Sequence, residues 1–422
     1  IRDSTDVVLL GECGLMREVK VPTDSEDLFR TILQGLDEVT AGIDPTRIKR
    51  AVLSTTLTTN TIIQKRTAPV GMIVSSGPGI DPNCFSTNAH YYPVAGCIDH
   101  RGREINPIDP DEVARVADTL TAAGIRQVGV VGKFSPRNPD HELAIAEILE
   151  ERFDTLFLGH RISGGLNFPR RIATTFLNAS VYPVHKKFFE AVQRSLEEKG
   201  LSVPIRLLKP DGGNMQFESA VGHPAQTILS GPAASVMGGL AFAPKQGTTL
   251  LLDIGGTTTD MAILIDGVPL LAPQGIQIRE YKTLIRALRT RSIGVGGDSA
   301  VNLAGDTLRV GPERLGAPMA LDGPAPTPTD AMVVLGLSDR GDRAKAVAGL
   351  QPLADARAVS VEAVAGEIFD CACRQILAAA EEMVTDINSK PVYTVHELYE
   401  GSRIAPDHIL ILGGPAQQFA RR

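Results

Sequence analysis

The stretch Leu251-Leu252-Asp253-Ile254-Gly255-Gly256-Thr257-Thr258-Thr259-Asp260-Met261-Ala262-Ile263-Leu264 constrains this chain more than any other. An apolar run ends in an acid. Two glycines and three threonines follow, and a second acid opens a second apolar run. Short apolar runs bounded by turn residues read as buried strands, so the segment predicts a hairpin. Glycines let backbone N–H groups approach an anion closely, and threonine hydroxyls add donors. Asp253 is placed to hold a hydrated Mg²⁺ beside phosphate oxygens, in keeping with the water that this ion retains. A plain hairpin with a Gly-Gly turn needs neither three threonines nor flanking acids. The expectation is a phosphate cradle built from Gly255, Gly256, Thr257 and Thr258, with Asp253 and Asp260 as the acids that carry chemistry and Asp253 as the metal ligand.

Three further segments are weaker when taken alone. Ser292-Ile293-Gly294-Val295-Gly296-Gly297-Asp298-Ser299 sets glycines before an expected helix start, where free N–H groups can meet a phosphate, and it reads equally well as a turn. Ile409-Leu410-Ile411-Leu412-Gly413-Gly414-Pro415-Ala416 is a buried strand that ends in two glycines, against which an adenosine can pack. Ser230-Gly231-Pro232-Ala233-Ala234-Ser235 is a helix start made of small residues, with Pro in the first turn. Small residues there suit the close approach of two helices, as at a hinge.

Around these segments, strand and helix patterns alternate, which favours α/β over all-β. Strands are expected at 7–10, 51–54, 70–74, 127–131, 156–158, 205–208, 249–253 and 409–412. Helices are expected at 26–41, 111–123, 141–152, 174–199, 231–239 and 359–389, and an extended Gly- and Pro-rich loop at 311–328. A length of 422 residues is more than one core can serve. Lys plus Arg is 42 against 49 for Asp plus Glu, so the chain lacks the basic surplus of a nucleic-acid groove. No apolar run reaches the roughly 20 residues of a membrane span. The five cysteines are too few and too scattered for a disulfide framework, and they read as reduced thiols of a cytoplasmic protein.

The order of the motifs is more specific than any one of them: small-residue helix, Asp-Gly-Gly-Thr hairpin, Gly-Gly-Asp loop, then a strand ending in Gly-Gly. That order resembles the second half of the actin, sugar-kinase and heat-shock-chaperone ATPase superfamily. A narrower resemblance covers nearly the whole chain. Ser54-Thr55-Thr56-Leu57-Thr58-Thr59-Asn60-Thr61, Asp211-Gly212-Gly213-Asn214-Met215, Thr227-Ile228-Leu229-Ser230-Gly231-Pro232, Leu308-Arg309-Val310-Gly311-Pro312 and Pro328-Thr329-Asp330-Ala331 are similar to signatures of the hydantoinase/oxoprolinase family, hydantoinase A type.

The resemblance implies two related α/β lobes of the actin-like ATPase (ribonuclease H-like) kind that close on ATP, here at about 1–170 and 171–422. It implies Mg²⁺ on Asp253 and the β/γ-phosphates on Gly255 to Thr258. Gly296, Gly297 and Asp298 would lie near ribose and phosphates, and Gly413 and Gly414 at adenosine. Thr55, Thr56, Thr59 and Asn60 would serve phosphate or substrate from the other lobe. The implied activity is ATP-dependent opening of a cyclic amide such as a hydantoin, 5-oxoproline or a lactam, by phosphorylation of the amide oxygen. A second, hydantoinase B type subunit or a homo-oligomer is the implied partner, with no nucleic acid and no membrane. The alternatives are an ATP-hydrolysing subunit of a ketone carboxylase, and a non-catalytic nucleotide-binding scaffold or reactivating factor.

The sequence departs from the family pattern at three places. The family opens on Asp-x-Gly-Gly-Thr-x-Thr-Asp, of which Thr5-Asp6 and the strand after it match here. Leu288-Arg289-Thr290-Arg291 stands where an Asp-x-His element is expected, and Gly316-Ala317-Pro318-Met319-Ala320 lacks a Pro-Ala-Cys run. The last two bear on the substrate. Lys282, Arg286, Arg289 and Arg291 have near-helical spacing and read as a solvated face or a phosphate-facing one. His90 and His100 flank a loop that reads as surface or, less simply, as a metal or substrate site.

Overall fold

The computed structural model describes residues 4–24, 27–272, 274–305, 307–389 and 403–422. The chain packs into two compact units, Ile1–Gly231 with Ala272–Ala287, and Pro232–Leu271 with Leu288–Arg422.

The first unit opens on an antiparallel hairpin, Ser4–Gly11 with Gly14–Pro22, in which Val7 faces Val19. Helix Leu28–Thr40 lies on it, capped by the Asp27 side chain. Gly35 permits that approach, because a Cβ there would sit 2.7 Å from Val7 Cγ2. A three-stranded sheet follows in the order Asn214–Gln216, Ile205–Leu208, Ala51–Leu53, the last two parallel. A separate four-stranded sheet is parallel throughout, in the order Tyr91–Val94, Val70–Ser75, Gln127–Gly132, Thr155–Leu158. All six residues of Val70–Ser75 are buried, as expected of a parallel strand covered on both faces. Helices Pro110–Ala122 and Asp140–Leu149 and the long helix Phe168–Glu198 cover it. Arg171 in the long helix is wholly buried and donates to the carbonyls of Gly132 and Lys133 at 2.6 and 2.7 Å, which pins the end of strand Gln127–Gly132. Burial lowers its guanidinium to about 10.

The returning segment is stitched to the first unit by side chains. Arg170 donates to the carbonyls of Gln274 and Thr283 at 2.8 and 3.0 Å, and Leu284 N–H donates to Thr174 Oγ1 at 2.8 Å. Arg286 donates to Asp211 through Nε at 3.1 Å and a terminal nitrogen at 2.9 Å. Burial alone would raise the Asp211 carboxyl. Arg286, the Gly213 N–H and Lys209 outweigh it and hold the group below its ordinary value.

The second unit is built on a five-stranded sheet with Thr248–Ile254 near its centre. That strand pairs antiparallel with Thr259–Ile265 and parallel with His408–Leu412. Val268–Pro269 and Thr290–Ile293 extend the sheet from Thr259–Ile265. Helices Pro328–Val334, Arg343–Arg357 and Val361–Asn388 share a core with it that includes Leu250, Leu252, Met261, Ile263, Ile368 and Phe369. Burying one such side chain contributes roughly 1.5–3 kcal/mol, so the central strand is firmly seated.

The mixed α/β organisation and nearly all expected elements are present. The spacing of Lys282, Arg286, Arg289 and Arg291 does not make a helix. Lys282 and Arg291 lie on the short strands Tyr281–Lys282 and Thr290–Ile293, while Arg286 and Arg289 flank the strand Ala287–Leu288, so extended backbone overrides the weak periodicity. Arg291 pairs with Glu382 and lies 3.7 Å from Asp386, so Glu382 is an ion-pair partner on the long helix Val361–Asn388.

His185 offers a test of the first unit's packing. It is wholly buried, packs at a tilt against Phe189 with ring centroids 4.4 Å apart, and its Nε2 lies 3.1 Å from the Ala220 carbonyl. Burial pushes its imidazole down from 6.5 to about 4, so the folded protein holds it neutral. An unfolded chain protonates this group first, and its stabilising contribution is present above pH 6.5 and lost as the pH falls toward about 4. Urea titrations over that window are expected to show a shallower loss of stability for His185→Leu than for the wild type.

Candidate functional site

Strand Thr248–Ile254 ends one residue after Asp253, and strand Thr259–Ile265 begins one residue before Asp260. The register sets Asp253 directly opposite Asp260 and Ile254 opposite Thr259. Between them, Gly255 to Thr258 form a turn closed by a 2.9 Å bond from Gly255 N–H to the Thr258 carbonyl. The neighbouring strand residues are buried leucine, isoleucine, methionine and threonine, while both acids are half-buried at the mouth of the hairpin. Like charges directly opposite each other on a sheet repel, and a cation at that mouth relieves the repulsion.

The Gly-rich loop braces this turn. Gly297 N–H donates to the Gly255 carbonyl at 2.9 Å, and Asp298 N–H to the Gly256 carbonyl at 2.7 Å. A trans peptide points its C=O and N–H in opposite directions. Carbonyls drawn toward the loop therefore turn the N–H groups of Gly256 and Thr257 away from it. The amides of Gly256, Thr257 and Thr258 donate to no acceptor among the described residues. Gly296 allows the loop to lie this close, since a Cβ there would be 2.6 Å from the Gly255 oxygen. Thr259 Oγ1 adds a 2.7 Å bond to the Val295 carbonyl.

This corrects one expectation. The loop does not precede a helix; it leads into strand Val301–Ala304, and the Gly297 and Asp298 amides are already engaged by the hairpin. The Gly297 and Asp298 amides brace the hairpin turn. Asp298 is itself fixed, with Thr329 Oγ1 3.1 Å from Oδ1 and Arg314 3.3 Å from Oδ2. Thr329 also donates to the Gly297 carbonyl through N–H at 2.7 Å and Oγ1 at 2.8 Å. The next residue, Asp330, is wholly buried and accepts from the amides of Met319, Ala320 and Thr327 at 3.1, 2.7 and 2.9 Å.

The third glycine motif meets the same acid. Strand His408–Leu412 runs parallel to the hairpin's first strand with Leu412 beside Asp253. Gly413 follows at φ 98°, and a Cβ there would lie 2.1 Å from the Ile254 oxygen and 2.9 Å from Asp253 Oδ1. Gly414 has open space around it. On the other side, Ser235 Oγ donates to Asp253 Oδ2.

The structure thus gathers Asp253, Asp260, Gly255, Gly256, Thr257, Thr258, Gly296, Gly297, Asp298, Gly413 and Gly414 within the second unit. Thr55, Thr56 and Asn60 belong to the first unit. There Ser230 Oγ donates to the Thr55 carbonyl at 2.9 Å, Leu229 N–H donates to Thr59 Oγ1 at 2.9 Å, and Asn60 Nδ2 lies 3.4 Å from Thr56 Oγ1. Ser235, Thr329 and Arg314 were missing from the sequence-derived set. Ser235 and Thr329 lie in motifs that sequence reading singled out, while the contact of Arg314 with Asp298 has no local signature.

Oxygen donors from two facing carboxylates and a turn of inward-bonded carbonyls fit Mg²⁺ with phosphate, because this ion takes one or two carboxylates and completes its shell with water and phosphate oxygens. No group of three His, Cys, Asp or Glu able to hold a metal ion occurs among the described residues, including the His90–His100 loop. There Asp99 caps its own turn, and hydrogen bonds from Arg103 and Arg101, led by the Arg103 backbone, lower it to about 2.

Residues 171–422 match the hydantoinase/oxoprolinase family, and residues 4–153 match the hydantoinase/oxoprolinase N-terminal region. The chain belongs to the hydantoinase/oxoprolinase family. Its curated relatives include caprolactamase subunit alpha of Pseudomonas jessenii, 25% identical over 368 residues that cover 79% of this chain and 53% of that subunit. Acetophenone carboxylase gamma subunit of Aromatoleum aromaticum is 28% identical over 57% of this chain and 35% of its own length. 5-Oxoprolinase of Dictyostelium discoideum is 26% identical over 46% of this chain and 16% of its own. The chain thus spans about half the length of the caprolactamase subunit and less of the other two. Among solved structures, nucleotide-free acetone carboxylase matches 90% of this chain and 61% of its own at a TM-score of 0.75 and 19% identity. The ATP-dependent caprolactamase from Pseudomonas jessenii matches 99% of this chain and 65% of its own at 0.71 and 22%. The family member described here therefore has their α/β, actin-like ATPase type of fold, as its sequence led one to expect.

The cradle's geometry predicts a contrast between adjacent glycines. Gly413→Ala forces a side chain into positive φ and against the Ile254 carbonyl, so a loss of more than about 2 kcal/mol is expected in denaturant titrations. Gly414→Ala enters open space and is expected to stay within about 0.5 kcal/mol of wild type.

Proposed function

We propose that this chain is the nucleotide-using part of an enzyme that opens a cyclic amide, of the hydantoin, 5-oxoproline or lactam kind, with ATP and Mg²⁺ as cofactors. The observation that carries this reading is the Gly255–Thr258 turn, whose carbonyls are held by the Gly297 and Asp298 amides while its own amides face away. When bound, Mg²⁺–ATP supplies a phosphoryl group that makes an amide oxygen a good leaving group. The protein's task is then positioning and charge neutralisation. The amides of Gly256, Thr257 and Thr258 bind β- and γ-phosphate oxygens. Asp253 holds the cation, with Asp260 opposite it. Gly296, Gly297 and Asp298 border ribose and phosphates, Gly413 and Gly414 leave room for adenosine, and Thr55, Thr56 and Asn60 serve phosphate or substrate.

Membership of the family supports the hydrolytic reading, as does similarity to a caprolactamase subunit and a 5-oxoprolinase. Similarity to an acetophenone carboxylase subunit favours a second reading, in which the same site activates a ketone for carboxylation within a complex. Under either reading a second subunit, of the hydantoinase B type, or a second copy of this chain completes the enzyme in the cytoplasm. No described helix is long and apolar enough to cross a membrane. Residues 1–170 and 171–422 are proposed as the two inherited regions, a division distinct from the packing units.

Phosphate release separates the readings. Stimulation by a lactam or hydantoin is the expected result, whereas dependence on bicarbonate plus ketone favours the carboxylase. Asp253→Ala is expected to abolish Mg²⁺-dependent ATP hydrolysis while its circular dichroism and thermal midpoint stay near wild type. Hydrolysis at the wild-type rate would refute the site.

A further inference from the structure

Helix Ser230–Gly239 reaches the sheet through small residues. A Cβ on Gly239 would lie 2.5 Å from Leu251 Cδ1 and 3.0 Å from Leu412 Cδ1, so glycine at 239 sets how closely the helix approaches the two strands. Ser235 lies four residues earlier, on the same helix face. Asp253 lies two residues after Leu251, on the same strand face. One helical turn advances about 5.4 Å and two strand residues about 6.6 Å, so the two steps nearly match. Contact at Gly239 and Leu251 therefore brings the Ser235 hydroxyl onto Asp253, where it donates to Oδ2 while Oδ1 lies beside Gly413.

We propose that Ser235 is a positioning residue for the divalent cation: its hydroxyl fixes the plane of the Asp253 carboxylate, so that the cation of a bound nucleotide meets an oxygen in one orientation. The inference rests on the nucleotide reading given above and deepens it. A serine proton donated to a carboxylate leaves the hydroxyl's lone pairs to accept from a cation-bound water. Outer partners of this kind orient the ligand, and their removal typically weakens metal affinity 10–100-fold. Alanine at 235 keeps the helix and its small-residue packing and removes only the hydroxyl.

The test uses Mn²⁺, a hard ion suited to oxygen donors, as a spectroscopic probe with a non-hydrolysable ATP analogue. In the full chain, Ser235→Ala is expected to weaken Mn²⁺ binding in the presence of the analogue roughly tenfold or more. Binding of the analogue in EDTA and the thermal midpoint are expected to stay at wild-type values, and Ser235→Thr, which keeps a hydroxyl, is expected to restore Mn²⁺ affinity. Wild-type Mn²⁺ affinity in Ser235→Ala overturns the inference alone. So does an equal loss of analogue with and without the cation, or a threonine variant as weak as alanine. Failure of the wild type to take up the analogue at all overturns the nucleotide reading and this inference with it.

Discussion

Two hydrogen bonds, from the amides of Gly297 and Asp298 to the carbonyls of Gly255 and Gly256, set which way the hairpin's turn faces, and the proposed anion cradle depends on them. A free four-residue turn presents both carbonyls and amides, and the carbonyls repel phosphate. Drawing two successive carbonyls to one side commits the following amides to the other. The rest of the unit serves that arrangement. The buried strand Thr248–Ile254 fixes where the turn begins, Gly296 lets the brace come close, and Thr329 holds the brace through the Gly297 carbonyl. Asp330, buried and filled with donors, anchors the helix start that carries Thr329.

Glycine acts in two distinct ways around Asp253. At Gly296 and Gly413 no side chain fits, because backbone oxygens lie where a Cβ would be. At Gly239 the missing side chain sets the distance between a helix and two strands. A run of glycines in a sequence does not separate these roles, since the difference lies in which distant backbone comes near.

Much of the second unit was legible because its signals are local. Three consecutive leucines ending in Asp253, a Gly-Gly turn and a second apolar run specify strand, turn and strand without help from elsewhere. The Ser292–Ser299 loop leads into strand Val301–Ala304 where a helix start was expected, for the opposite reason. Its composition says that amides are exposed locally, but the Gly297 and Asp298 amides meet the carbonyls of Gly255 and Gly256, far earlier in the chain. Helix Arg343–Arg357 went unread because its interior holds Gly349 and Pro352 and few large apolar residues. Strand Gly14–Pro22 went unread because Arg17, Glu18 and Lys20 interrupt its apolar alternation. The bond from Ser235 to Asp253 spans 18 residues and depends on Gly239, so neither residue announces it alone.

A structure of the chain with Mg²⁺ and a non-hydrolysable ATP analogue tests the cradle most directly. The expected result is β- and γ-phosphate oxygens within hydrogen-bond distance of the Gly256, Thr257 and Thr258 amides, with the Gly297 and Asp298 bonds to the turn intact. A nucleotide settled elsewhere, or a turn whose carbonyls had swung toward the ligand, would contradict it.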